Sequence, residues 1–304
     1  MTNMNKENKT KRIGIDARFY GPLGKGLGRY TQEVVDNIIK LDQDNEYVIF
    51  LRQENFNAFK CDGLRVKKVL ADIRWYTLAE QILLPYYIWR EHLDLMHFPH
   101  FNVPILCPVK FIVTIHDLIL IKFPTLRATT SGPIIYKIKN LAYKIVIALA
   151  VKRAKKVLTV SKFTKNDLVK QFKINSAKVI VTYEGVAELT SLNTPLIPAR
   201  LNSRSGGKEV GGIITPYLLY VGNAYPHKNL EGLIKVFSEI KTPLDKGGLG
   251  GLRLVLVGKE DYFYARLKKF AKNFSNNIIF PGHVSDSELN ALYANAALYV
   301  FPSF

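Results

Sequence analysis

Short apolar runs alternate with longer segments whose apolar residues recur every three to four positions along most of the chain. A short apolar run is typical of a strand buried in a parallel sheet, and the longer spacing is typical of a helix covering that sheet. In the first half the predicted strands are Arg12–Asp16, Glu46–Arg52, Leu64–Leu70, Leu93–Phe98, Val109–Ile115, Lys155–Val160 and Lys178–Val181.

The segments between these strands predict helices. The predicted helices are Gly28–Leu41, Thr77–Glu91 with a bend or interruption at Pro85, a basic helical segment over Ile134–Val151, and Phe163–Phe172 with Ser161 as its N-cap. A regular alternation of strand and helix favours a parallel sheet with helices on its faces.

The same alternation restarts at Tyr217. Its predicted strands are a run beginning at Tyr217, then Arg253–Val257, Asn277–Phe280 and Leu298–Phe301, and its helices end at Ile240, Asn273 and Ala294. Ser285 and Glu288 predict a capping box at the start of the last helix. Gly, Ser and Pro dominate the stretch before Tyr217, which is typical of a linker. We therefore predict an α/β fold with Rossmann-like domains at residues 1–188 and 215–304, a linker at 189–214, and a cleft between the domains.

Composition agrees with two domains. The chain has 304 residues, 48% of them hydrophobic, which is enough for a core in each domain. Cys61 and Cys107 have no metal-binding spacing and form no disulfide framework, which fits a reducing cytosol. The Lys-rich first residues are not a secretory signal, and no apolar run has the roughly 18–20 residues of a membrane span. We therefore predict a cytoplasmic protein, either soluble or peripheral.

The charge is strongly positive and unevenly distributed. The net charge is +18, and residues 118–166 hold eleven Lys or Arg and no Asp or Glu. A basic, partly apolar helix can lie on an anionic membrane surface, on the inner face of the cytoplasmic membrane. The alternative is an ordinary surface helix in a Lys-rich protein. Nucleic acid is not expected as a partner, because no nucleic-acid-binding module is recognisable.

The turn after the Tyr217 strand predicts a phosphate site. Gly222, Asn223, His227 and Lys228 lie between that strand and an amphipathic helix. Ligands bind at the carboxyl edge of a parallel sheet, and the amide groups at a helix N-terminus attract anions. His227 and Lys228 add cationic side chains at the same place.

A second glycine-rich turn follows the first strand of the chain. Gly24, Gly26 and Gly28 are each two residues apart, so the turn is neither a dinucleotide fingerprint nor a P-loop. Glycines there let the backbone approach a ligand closely, although a merely flexible turn is the alternative.

Histidines end two neighbouring strands of the first half. His116 and Asp117 follow one strand, and His97 and His100 lie at the end of the strand before it. A structural, hydrogen-bonded histidine is the alternative for each. We expect no metal, because no carboxylate or cysteine has suitable spacing.

The order of these motifs resembles one enzyme family. The motifs are Gly26–Tyr30, Glu80 and Gln81 before Pro85, His116–Leu118, Val160–Thr164, Tyr220–Asn223, Pro226–Leu230, Val257 and Gly258, Gly282–Val284, Glu288 and Leu289, and Val300–Ser303. In this order the chain resembles the family 4 retaining glycosyltransferases of the GT-B fold, particularly mannosyltransferase-like members that build bacterial surface polysaccharides.

The resemblance implies a role for each motif. A nucleotide-sugar, GDP-mannose or a UDP-sugar, would bind with its diphosphate at Lys228 and at the amides of the Gly26–Gly28 loop. Backbone groups at Gly258 and at Gly282–Val284 would surround the nucleobase, and His116 would lie beside the transferred sugar. The family needs no metal, retains the anomeric configuration, and transfers the sugar to a glycan or a lipid-linked acceptor.

The chain departs from the family pattern in two places. Many members have Arg after the glycine that ends the strand, where this chain has Asn223, which leaves Lys228 and His227 as the local cations. The family pattern continues beyond Phe304 with a glutamate-bearing turn and further helices. We therefore expect an incomplete second domain, a truncated enzyme, and little or no transferase activity from this polypeptide alone. The alternatives are a nucleotide-sugar epimerase on the same scaffold and a non-catalytic remnant that binds a membrane or a partner.

Overall fold

The protein consists of two compact α/β units, Met1–Gly185 and Val186–Phe304. The computed structural model describes residues 10–21, 24–61, 63–122, 133–185, 216–240, 251–274 and 277–303. The linker predicted at 189–214 lies outside these residues. Each unit is built on one parallel sheet, so the predicted GT-B type of α/β fold is confirmed at the level of its architecture.

The first sheet has seven parallel strands in the order β3-β2-β1-β4-β5-β6-β7. The strands are β1 Arg12–Asp16, β2 Glu46–Leu51, β3 Val66–Leu70, β4 Leu95–Phe98, β5 Phe111–Ile115, β6 Lys156–Thr159 and β7 Val179–Val181. Each lies within a predicted strand. The runs of β2, β4 and β5 are mostly buried, as is typical inside a parallel sheet, whereas the edge strand β3 is only partly buried.

Helices cover both faces of this sheet. They are α1 Lys25–Leu41, α2 Gln53–Phe56, α3 Leu78–Arg90, α4 Ile119–Lys122, α5 Pro133–Arg153 and α6 Lys162–Phe172. The predicted interruption at Pro85 is absent from α3, since proline removes only one helix hydrogen bond and buried Leu84 and Ile88 hold the helix on either side. Ser161 caps α6 as predicted, accepting from the Thr164 N–H at 3.0 Å.

The second sheet has four parallel strands in the order β10-β9-β8-β11. They are β8 Tyr217–Val221, β9 Arg253–Val257, β10 Ile278–Gly282 and β11 Leu298–Tyr299, and the helices are α7 Leu230–Glu239, α8 Tyr262–Ala271 and α9 Asp286–Asn295. The predicted capping box of Ser285 and Glu288 is present at α9. Within each unit, the carboxyl ends of the parallel strands meet at one edge of the sheet.

Candidate active site

Two buried tyrosines fix the turn that follows β8. The N–H of Gly222 donates to the carbonyl oxygen of Val257 at 3.0 Å. The Tyr264 hydroxyl donates to the Gly222 carbonyl at 2.9 Å, and the Tyr220 hydroxyl donates to the Asn223 carbonyl at 2.8 Å. The backbone of the turn is therefore held in place before any ligand binds.

The glycines predicted for the donor site lie side by side at this edge. A Cβ atom on Gly258 would collide with the Gly222 carbonyl oxygen and the Tyr264 ring, so the strand ends approach closer than any other residue allows. The Gly258 N–H donates to the Gly282 carbonyl at 3.2 Å, and Gly282 has a φ of 79°. Val284 is buried beside it. Gly282 ends β10 rather than lying in a turn, because pairing with Val257 extends the strand.

His227 and Lys228 lie in a 3₁₀ turn, Pro226–Lys228, directly before α7. The Lys228 Nζ is 4.4 Å from the centroid of the Phe301 ring. The side chain of Asn229, the N-cap of α7, makes no capping hydrogen bond, and the backbone of Asn229 is left-handed with φ 55°. A lysine and the positive end of a helix are thus combined at one turn, an arrangement that suits an anion.

The first unit presents its glycines differently from the prediction. Gly26 and Gly28 lie in the first turn of α1, which begins at Lys25, before the predicted start. A Cβ atom on Gly26 would meet open space. Gly28 has no such space, since a Cβ there would collide with the carbonyl oxygens of Phe19 and Gly21. Within the described residues, the N-cap Gly24 makes no side-chain hydrogen bond to α1, and no acidic residue occupies the first turn. Amides at such a helix start suit an anion.

His116 follows β5 and is held on both ring nitrogens. Its Nε2 is 3.0 Å from the Pro99 carbonyl oxygen, and its Nδ1 is 3.6 Å from a carboxylate oxygen of Glu184. The Tyr30 ring packs edge-on against it, with ring centroids 4.6 Å apart. A carbonyl only accepts, so Nε2 carries the proton that it shares with Pro99. The Nδ1 edge of the ring lies beside the Glu184 carboxylate.

The neighbouring histidines are buried. His97 Nε2 is 3.1 Å from the Thr114 hydroxyl, and burial lowers the pKa of His97 to about 4. Burial also lowers the pKa of His100 to about 3, so both rings are neutral near pH 7. Within the ranges that the structure describes, no three His, Cys, Asp or Glu side chains are grouped as a metal site requires.

A buried ionic network at the same sheet edge was not predicted from the sequence. Arg18 donates to Asp16 through Nε at 2.7 Å and to Glu80 through Nη2 at 2.6 Å, and Glu80 also accepts from Asn102. Burial opposes the charge of Arg18, but the Asp16 and Glu80 carboxylates outweigh it and raise its pKa. Asp16 ends a predicted strand and Arg18 follows two residues later. These two positions were the only local signal of the network, since Glu80 is distant in sequence.

Two family models match the chain. Residues 24–188 match Glycosyltransferase Family 4, and residues 214–304 match Glycosyl transferases group 1. The first match covers more than half of the chain and includes Gly26, Gly28 and His116. The second includes the Gly222 turn and Lys228.

Two curated proteins are similar to the chain. One is the O-antigen chain mannosyltransferase RfbU of Salmonella typhimurium, 25% identical over 77% of this chain and 56% of that protein. The other is O-antigen chain mannosyltransferase B of Escherichia coli, 24% identical over 92% of this chain and 73% of that protein. The chain thus spans about half the length of the first relative.

Solved structures share the fold. WaaG, a glycosyltransferase involved in lipopolysaccharide biosynthesis, has a TM-score of 0.66 at 12% identity, covering 96% of this chain and 75% of WaaG. A putative UDP-N-acetylglucosamine 2-epimerase from Listeria monocytogenes has a TM-score of 0.56 at 12% identity, covering 96% and 74%. At this identity the likeness concerns the fold alone, whereas both matching family models describe glycosyltransferases.

Proposed function

The chain belongs to Glycosyltransferase Family 4, and from that premise we propose that it transfers a sugar from a nucleotide-sugar to a glycan or a lipid-linked acceptor. Surface polysaccharide synthesis is the proposed setting, because both curated relatives are O-antigen mannosyltransferases. GDP-mannose or a UDP-sugar is the proposed donor. The observation that carries this proposal is the pairing of Lys228 with the uncapped start of α7 beside the Gly222 turn.

The diphosphate of the donor is assigned to that turn. Lys228 supplies a cationic side chain and His227 a ring N–H, and the first amides of α7 supply oriented donors that need no reorganisation when an anion arrives. Asn223 offers an amide where many relatives in the family have Arg, so Lys228 carries more of the attraction here. Within the first unit, the first-turn amides at Gly26 and Gly28 are proposed as a phosphate-binding element.

The nucleobase is assigned to the glycine strand ends. Gly282 has open space where a Cβ atom would stand, Gly258 lies next to it, and Val284 supplies apolar surface beside them. Backbone donors and acceptors recognise the edge of a base, while the absence of a Cβ atom at Gly282 lets its flat face approach.

His116 is proposed to support the transferred sugar. The Pro99 carbonyl keeps the ring oriented through Nε2, which leaves the Nδ1 edge to contact a sugar hydroxyl. In the reaction the bond between the anomeric carbon and the phosphate oxygen breaks, the acceptor oxygen bonds to the same face, and its proton passes to the departing phosphate. No metal is needed in this scheme, since Lys228 and amide groups offset the phosphate charge.

An anionic membrane surface is the proposed partner of α5. Ile135, Ile138, Leu141 and Ile145 recur at three- and four-residue intervals and are 46–64% exposed. By helix geometry they form one stripe opposite the buried residues of α5, with exposed lysines on both sides of it. Such a helix lies in the plane of an anionic bilayer. Among the helices that the structure describes, none is long and apolar enough to cross a membrane.

Calorimetric titration with GDP-mannose and UDP-glucose tests the donor site. We expect saturable binding of one of them, weakened ten- to a hundredfold in Lys228→Ala through loss of a charge-assisted hydrogen bond. Lys235→Ala, an exposed lysine of α7, is the matched control and should bind like the parent protein. Absence of binding by both nucleotide-sugars, or equal binding by the two variants, would overturn the donor-site assignment.

A further inference from the structure

A row of aromatic side chains runs along the carboxyl edge of the first sheet. Phe19 stacks on Trp75 with centroids 4.4 Å apart and planes 8° from parallel. The His100 ring is 5.4 Å from Phe19 and 4.0 Å from Phe101. Tyr76 is 6.0 Å from Phe101. We call these five residues the aromatic row.

The row is assembled from loops that follow different strands. Phe19 follows β1, Trp75 and Tyr76 follow β3, and His100 follows β4. The row ends beside the predicted catalytic residue, because the Pro99 carbonyl next to His100 accepts from His116 at 3.0 Å. Side chains gathered from several strands at this edge are typical of a ligand site in a parallel α/β sheet.

Tyr76 is held outward by buried charge. Its side chain is 62% exposed, and its backbone is left-handed with φ 59°. Its N–H donates to a Glu80 carboxylate oxygen at 2.9 Å, and Glu80 is fully buried against Arg18. Left-handed backbone at a bulky residue persists only where its surroundings enforce it, and such residues cluster at binding sites.

Two buried polar atoms of the row have no protein partner in the part of the chain that the structure describes. They are Nδ1 of His100 and Nε1 of Trp75. Buried polar groups are nearly always hydrogen-bonded, so the lack of a hydrogen-bond partner at each of these two atoms needs an explanation. Burial lowers the pKa of His100 to about 3, so its ring is neutral and Nδ1 can exchange a hydrogen bond with a hydroxyl.

We propose that the aromatic row binds a sugar ring of the acceptor, with Tyr76 stacked on its apolar face and His100 Nδ1 hydrogen-bonded to one of its hydroxyls. A sugar ring combines a flat face of C–H groups with a rim of hydroxyls, which matches aromatic faces beside buried polar atoms. This inference rests on the proposed function, which supplies the saccharide class.

Tryptophan fluorescence provides a direct test. The chain has two tryptophans, Trp75 in the row and Trp89 in α3, so Trp89→Phe leaves Trp75 as the sole reporter. We expect a saturable change in Trp75 emission on titration with a mannose disaccharide. Titration with sorbitol, which has hydroxyls but no ring, should give no saturable change.

Substitutions in the Trp89→Phe background locate the binding. Tyr76→Asn removes the ring and suits left-handed backbone, and it should weaken disaccharide binding about tenfold or more. His100→Phe keeps the ring packing and removes Nδ1, and it should also weaken binding. Tyr86→Asn, at an exposed tyrosine of α3 outside the row, should bind as tightly as the parent. Melting curves identify any variant that fails to fold.

The outcomes separate this inference from the proposed function. If no saturable change occurs, or if both row variants bind as tightly as the Tyr86 variant, the aromatic row is not the acceptor site. Nucleotide-sugar titration of the same protein reports the donor site independently. Disaccharide binding without nucleotide-sugar binding would retain the row and overturn the transferase proposal instead.

Discussion

The hydroxyl of Tyr264 donates a hydrogen bond to the Gly222 carbonyl oxygen at a distance of 2.9 Å. The same hydroxyl lies 2.9 Å from the Val257 carbonyl oxygen, so one side chain of α8 joins the ends of β8 and β9. Burial raises the pKa of Tyr264, which keeps the hydroxyl protonated and available as a donor. The proposed phosphate turn is therefore positioned by a residue that need not touch the ligand.

Replacing Tyr264 with Phe should loosen this turn. We expect the free energy of unfolding to fall by about 1–2 kcal/mol, since two buried carbonyls lose a donor. Nucleotide-sugar affinity should fall several-fold, because the turn must then be ordered on binding. Urea unfolding followed by circular dichroism and calorimetric titration measure the two effects. Tyr262→Phe, at an exposed tyrosine two residues earlier in the same helix, should change neither the free energy of unfolding nor the nucleotide-sugar affinity.

Alanine at the two glycines of α1 should have opposite effects on stability. Gly28→Ala forces a methyl group against the carbonyl oxygens of Phe19 and Gly21, which should destabilise the first unit by about 2 kcal/mol or more. Gly26→Ala meets open space in a helix, and should stabilise it by about 0.5–1 kcal/mol. Urea unfolding followed by tryptophan fluorescence reports this unit, because Trp75 and Trp89 both lie in it. Equal effects of the two substitutions would contradict the packing of α1 on the Phe19–Gly21 turn.

The sheets were predictable because their signal is local. Each apolar run and each helical period is read over a few neighbouring residues, and burial of central runs such as β2 and β9 keeps the signal strong there. The ends were less predictable: Val66 begins β3 two residues after the predicted start, because residues 64 and 65 form a turn. The left-handed backbone of Tyr76 has no such local signal, since left-handed geometry is uncommon for tyrosine.

The candidate site was likewise predictable only where its sequence signal is local. The glycines at residues 222, 258 and 282 could be placed together from the sequence, because carboxyl ends of parallel strands share an edge. Their supports could not, since Tyr264 reaches the Gly222 carbonyl across 42 residues and Arg18 reaches Glu80 across 62. Phe301 beside Lys228 was missed for the same reason. Contacts over such separations depend on how helices pack, which a single sequence does not state.

Acid should destabilise the first unit through His97. Its pKa is lowered from 6.5 to about 4 by burial, so its contribution to stability is fully present above pH 6.5 and is lost as the pH falls through 4. Between pH 7 and pH 4 the loss through His97 alone should be about 3 kcal/mol, and His100, whose pKa burial lowers to about 3, adds to it. Urea unfolding at several pH values, followed by tryptophan fluorescence, measures this slope.

His97→Gln should reduce the slope between pH 7 and pH 4 by about half, because His100 keeps a similar dependence, while Gln retains a partner for Thr114. His283→Gln removes an exposed histidine of the second unit and should leave the slope unchanged. A parent and a His97 variant with the same slope would show that His97 titrates equally in the folded and unfolded states.

The exposed face of α5 should bind anionic vesicles through both its apolar stripe and its lysines. Lys137, Lys139 and Lys144 are exposed, and α5 contains no acidic residue. Replacing all three with Gln should weaken sedimentation with phosphatidylglycerol vesicles about a hundredfold, at roughly 1 kcal/mol per lysine. Added salt should weaken binding of the parent and affect the variant less.

The matched control replaces three lysines of the second unit, Lys235, Lys269 and Lys272, with Gln. If both triple variants lose affinity equally, the attraction comes from the overall charge of +18 and not from α5.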